Sequence, residues 1–153
     1  MDDLNQLDEL MACRLDDGRK AVTPCTIVIF GASGDLTIRK LIPALYHLFA
    51  EKALPSPVRI VGFARRDKTD ETWRAELRDA LNSFSRTKPV RDDLWAAFAS
   101  NIHYCHGDMS DRAAYMRLRD LIRSSSHEKL RSNLLFYIAT SPSQFAEVTA
   151  HLT

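Results

Sequence analysis

No stretch of the chain approaches the roughly 18–20 consecutive apolar residues that a membrane helix needs, so a membrane span is excluded. The N-terminus is acidic and lacks a basic segment followed by an apolar core, so it does not read as a secretory leader. Charge of one sign is also missing. Twenty-one basic residues face twenty acidic ones, a net charge of +1, which gives no field to draw nucleic acid or an anionic membrane. Cysteine is scarce: Cys13, Cys25 and Cys105 are odd in number and lack the spacing of metal ligands. Reduced thiols in a cytoplasmic protein are the expectation, and a regulatory Cys13–Cys25 disulfide is the alternative. Internal repeats and low-complexity segments are absent, and G-x-x-x-x-G-K-[ST], the phosphate loop of many nucleotide hydrolases, is not matched.

What is present is one strand, a glycine turn and a helix, read in succession. Thr26–Phe30 is rich in β-branched and aromatic residues, the composition of a buried strand. Gly31 and Gly34 follow, with Ala32, Ser33, Asp35 and Leu36 around them. Ile38, Leu41, Ile42, Leu45, Leu48 and Phe49 then recur at helical spacing, predicting a helix to about Lys52. Such a turn lets the backbone approach an anion. The first N–H groups of the helix point at that anion with the positive end of the helix dipole behind them. A dinucleotide pyrophosphate is held in this way. The motif is the shifted form G-x-x-G-x-x-G with Thr37 at its third place, which predicts a slightly wider approach of helix to strand. The bland alternative is a strand-turn-helix junction with no ligand.

Three further strands are predicted, Val58–Phe63, Ile102–His106 and Leu134–Ala139, separated by helical patterns. Pro43 kinks the first helix or delays its start. Thr69 or Asp70 caps the second helix, whose core face is Trp73, Leu77, Ala80, Leu81 and Phe84. Leu94, Trp95 and Phe98 mark a helix near Asp92–Ala99. Ser110 is expected to cap the helix carrying Tyr115, Leu118, Leu121 and Ile122, and Ser141 with Pro142 to open the last, carrying Phe145, Val148 and Leu152. Alternation of this kind calls for an α/β, Rossmann-like, doubly wound parallel sheet with helices on both faces. The domain is expected to span residues 23–153 and to stop early in its last helix. Residues 1–22 are expected to be a flexible extension, with Leu4, Leu7, Leu10 and Met11 as one apolar stripe.

In a doubly wound sheet the second strand ends beside the adenosine ribose, where an acidic residue selects NAD. Here the strand runs into Arg65 and Arg66, with no carboxylate until Asp67. A guanidinium there clamps a 2′-phosphate through charge-assisted hydrogen bonds, so NADP is the expected cofactor, with Arg65 first and Arg66 assisting. Asp108 and Met109 after the third strand and Tyr137 near the end of the fourth face the same crevice. By its residue type alone Tyr137 reads as a core aromatic. None of the five histidines pairs with a nucleophile or gathers as a metal ligand, so no catalytic residue and no metal is expected.

Ile29–Leu36 with Arg39-Lys40-Leu41-Ile42-Pro43-Ala44-Leu45 resembles the N-terminal signature of the glucose-6-phosphate dehydrogenase family, G-A-S-G-D-L-x-x-[RK]-K-…-P. The likeness continues through Ile60–Arg65, Gly107-Asp108, Ala114-Tyr115 and Leu135–Ala139, over residues 26–153. It implies oxidation of glucose 6-phosphate to the 6-phosphogluconolactone with NADP, the opening of the pentose phosphate pathway, by a homo-oligomeric enzyme. It also implies that Gly31–Leu36 hold the pyrophosphate and Arg65 the 2′-phosphate, with Asp108, Met109 and Tyr137 at the remaining cofactor contacts. Lys40 is placed toward the sugar phosphate or, more simply, on a helix surface. The family's glutamate-lysine-proline motif and its R-I-D-H-Y-L-G-K-E motif, which carries the histidine base, are absent from these residues. The expectation is therefore a coenzyme domain, truncated or expressed alone, that binds NADP weakly and turns over nothing. A stand-alone NADP-binding sensor is the second reading. A short-chain reductase is the third, although that class wants glycine in place of Thr37 and a Tyr-x-x-x-Lys pair.

Overall fold

The computed structural model describes residues 22–86 and 89–153. The extension called over residues 1–22, with Cys13, falls outside them save for Val22. Four strands form the sheet: β1 (Cys25–Phe30), β2 (Val58–Ala64), β3 (Ile102–His106) and β4 (Leu134–Ile138). All pairings are parallel and the strand order is β3-β2-β1-β4, the first four strands of the 3-2-1-4-5-6 doubly wound order. Between them run α1 (Ile42–Ala50), α2 (Asp70–Phe84), α3 (Asp92–Ala99), α4 (Arg112–Arg123), a short α5 (Glu128–Ser132) and, last, α6 (Phe145–Leu152).

Side chains alternate across β1 and β2, so each strand feeds two cores. Ile27, Ile29 and Ile60 pack with Ile42, Tyr46, Trp73, Leu77, Leu81 and Phe98 on one face. Val28, Phe30, Val61 and Phe63 pack with Cys105, Ala114, Tyr115, Leu118, Ile122 and Val148 on the other. Both faces of β1 and β2 are therefore covered, as their composition requires. No described helix is long and apolar enough to cross a membrane.

Several local expectations are corrected. The first helix opens as one π-helical turn, Thr37–Leu41, in which the Ile42 N–H reaches back to the Thr37 carbonyl. α1 proper then takes Pro43 in its first turn, where the missing N–H is harmless. Ile42 and Tyr46 are buried and Phe49 packs on Phe98 at 5.3 Å, whereas Leu48 faces out. Leu41 and Leu45 also pack against this core, as the spacing predicts. Phe84 is 43% exposed, because α2 carries its apolar stripe one turn beyond the core; its ring instead lies 4.9 Å from the Arg39 guanidinium. Thr69 caps α2 in a reciprocal box with Thr72. Asp111, not Ser110, caps α4, its carboxylate accepting from the Ala113 N–H; Ser110 is already bound to Asp108. Ser141 opens a 3-10 turn, Pro142–Gln144, without a side-chain cap, and Phe145 is exposed. β4 pairs with β1, and Leu135, Phe136 and Tyr137 on it are exposed.

Candidate coenzyme site

The site begins where β1 ends. Gly31 has φ +83°, and a Cβ there would stand 2.5 Å from the Ala139 carbonyl oxygen. Only glycine tolerates both the conformation and the approach. The Gly31 and Ala32 N–H groups both donate to the Phe63 carbonyl, at 3.0 and 3.2 Å, which ties the turn to the end of β2. The Gly31 carbonyl accepts from the Gly34 N–H at 2.9 Å and from the Thr37 hydroxyl at 3.0 Å. Thr37 is fully buried. It thus closes the turn by a bond that a glycine lacks.

The N–H groups of Ser33, Asp35 and Leu36 have no acceptor among the described residues. They are the free donors of a helix start, and Asp35 and Leu36 are exposed. The Asp35 carboxylate is engaged by Arg39 at 2.7 Å. Its negative charge is thereby offset beside those amides.

Arg65 and Arg66 follow β2 and are exposed. Neither guanidinium lies within ion-pair distance of a carboxylate among the described residues. Their backbone is held from β3: the Gly107 N–H donates to Ala64 at 2.9 Å, the His106 ring to Arg65 at 2.8 Å, and the Tyr104 hydroxyl to Arg66 at 2.6 Å. Burial pushes the Tyr104 phenol up to about 12, so it remains a donor. Beyond β3, the Asp108 carboxylate accepts from the Ser110 hydroxyl at 2.6 Å and its N–H at 2.8 Å. These bonds, with the Arg65 charge nearby, hold its pKa below the usual carboxylate range.

Met109 is buried against the second core, its carbonyl taken by the Tyr115 hydroxyl at 2.8 Å. Tyr137 is 42% exposed and lies beside Ile29 on the first face of the sheet; its reading as a core aromatic is overturned. Gly31–Leu36, Arg65 and Asp108 lie at the ends of three adjoining strands.

Lys40 is exposed and borders a hollow of about 280 Å³ with His47, Phe84 and Arg86. A larger hollow of about 680 Å³ lies away from the strand ends, between α4, α6 and β4. Sequence reasoning missed Tyr104 and His106, and it missed Gly62, where a Cβ would meet the Trp73 ring at 2.3 Å. The histidines are engaged separately: His103 with Asp70 at 3.2 Å, His47 with Glu51 at 3.4 Å, and His151 stacked on Tyr115 at 4.4 Å. Among the described residues no three His, Cys, Asp or Glu gather as metal ligands.

A model of the glucose-6-phosphate dehydrogenase NAD-binding domain matches residues 28–153. The chain belongs to this family. It is 40% identical over 133 residues to the glucose-6-phosphate 1-dehydrogenase of Chlamydia muridarum, a match covering 86% of this chain and 26% of the relative. The Treponema pallidum enzyme is 35% identical over 136 residues, with 88% and 26% covered. A crystal structure of the Mycobacterium avium enzyme superposes with TM-score 0.71 at 29% identity, covering 83% of this chain and 26% of that one. A glucose-6-phosphate dehydrogenase in complex with glucose 6-phosphate does so with TM-score 0.73 at 28% identity, covering 88% and 28%. The chain spans only about a quarter of the relatives it matches.

Proposed function

We propose that this chain is the NADP-holding part of a cytoplasmic, homo-oligomeric glucose-6-phosphate dehydrogenase. The observation that carries the reading is the pairing of unclaimed amides at Ser33, Asp35 and Leu36 with unpaired guanidinium groups at Arg65 and Arg66. The residues fit the group. A glycine-only turn admits a diphosphate, the free amides and helix start neutralise it, and a guanidinium matches the fork of a 2′-phosphate. Asp108 and the backbone at Met109 would meet the adenosine half. Tyr137 and the Ala139–Thr140 backbone would lie toward the nicotinamide end.

When bound, NADP supplies the hydride acceptor for the C1 carbon of glucose 6-phosphate. Loss of that hydride also needs a base for the C1 hydroxyl proton. This chain spans about a quarter of the relatives it matches, and its part in that reaction is to bind and orient the coenzyme.

Calorimetry tests the reading. Arg65→Ala is expected to weaken NADP by about 1.5–3 kcal/mol, the loss of one charged hydrogen-bonded pair, and to leave NAD nearly unchanged. Equal loss for both removes Arg65 from the phosphate role. Reduction of NADP by this chain on adding glucose 6-phosphate would overturn the division of labour.

A further inference from the structure

The two arginines sit on an exposed turn that also contains a carboxylate, Asp67. Neither guanidinium pairs with it, and the turn is held through its backbone carbonyls. The His106 Nε2 lies 2.8 Å from the Arg65 carbonyl oxygen. A carbonyl only accepts, so Nε2 carries the hydrogen. The other ring nitrogen, Nδ1, is 3.8 Å from the exposed Asp67 carboxylate, beyond hydrogen-bond distance. The imidazole therefore holds the first residue of the turn.

Tyr104, two residues back and so on the same side of β3, holds the middle carbonyl, that of Arg66. The root of the imidazole is fixed as well, since Arg117 donates to the His106 carbonyl at 3.1 Å.

We propose that His106 is the positioning residue that sets preference for a 2′-phosphorylated dinucleotide. It pins the Arg65 backbone at the end of β2, which fixes where that guanidinium starts toward the phosphate. The inference rests on the coenzyme reading above. His106 touches no phosphate in it and acts through Arg65.

The test is the ratio of NAD to NADP dissociation constants, measured by calorimetry on the whole chain. His106→Ala is expected to lower NADP affinity by about tenfold, the scale of one lost hydrogen bond, and to change NAD affinity by less than about twofold. His106→Gln, whose amide still donates, restores most of the ratio. A purely architectural histidine would move both cofactors together, and equal losses for NADP and NAD overturn the proposal. An unchanged ratio in His106→Ala while Arg65→Ala remains selective also overturns it, and leaves the coenzyme reading intact. Arg65→Ala without selectivity defeats the coenzyme reading itself, and the proposal with it.

Discussion

Two histidines of β3 show how position decides what a side chain does. His103 is half-buried, with Nδ1 3.2 Å from the Asp70 carboxylate, whose other oxygen accepts from the Tyr104 N–H at 2.7 Å. Burial pushes its pKa below the ordinary 6.5, the Arg59 charge adds to this, and Asp70 offsets only part. The native ring therefore binds its proton less readily than the unfolded chain does. Below pH 6.5 unfolding takes up a proton, so stability is full above that value and falls as pH drops toward the depressed native pKa. The urea midpoint is expected to decline between about pH 7.5 and 5.5, and His103→Gln to flatten that decline. An identical slope in the variant would deny His103 this role. His106, three residues on and exposed, does the opposite work: it faces the coenzyme turn and holds it.

Among the elements, the first helix departs furthest from its ideal form. It starts in a π turn and ends on Lys52, at φ 56°, with the Ala53 N–H on Leu48 at 2.8 Å and the Lys52 N–H on Phe49 at 3.0 Å. This is the paired closure that glycine normally makes. A side chain in that conformation is strained, so Lys52→Gly is expected to stabilise the fold by about 0.5–1 kcal/mol in denaturant unfolding. A lower midpoint would mean that the Lys52 side chain contributes more than its backbone costs.

The same helix shows what could be read from sequence. Its position, the strand before it and the glycine turn were legible, because a β-branched run and Gly31 with Gly34 are local signals. The π turn was not, since the apolar pattern fits an ordinary helix until Leu48 turns out to be exposed. Periodicity likewise gave the direction of the α2 stripe but not that its last turn, at Phe84, outruns the core. Arg65 was legible as the first cation after β2. Its supports were not, because His106 and Tyr104 lie 41 and 38 residues from the carbonyls they bind. Only the register of β2 on β3, Phe63 beside Cys105 and Ala64 beside His106, brings them together.

At the scale of the whole molecule the two sides of the sheet end differently. Next to β2, the β3 end is closed by Asp70, Arg74 and the α2 cap. β4 is open: it pairs only with β1, and Leu135, Phe136 and Tyr137 are 55%, 36% and 42% exposed. A strand with one unpaired backbone edge and apolar side chains on both faces is a template for further pairing. Neighbouring residues extend the patch, since Phe136 also borders the hollow between α4 and α6. Cationic side chains at Arg112, Arg119, Arg123 and Arg131 ring that hollow and oppose close approach of a second copy there. Association of the isolated chain is thus expected to run through the β4 edge, where no such charge stands. Sedimentation velocity should show mass rising with concentration for the wild type, and Leu135→Lys should hold the chain monomeric, because a charge on an exposed edge strand blocks edge-to-edge pairing. Association that persists unchanged in Leu135→Lys would move the contact off the β4 edge. In that case the hollow between α4 and α6 must bury its apolar floor despite its arginines, and added salt, by screening them, would strengthen the association.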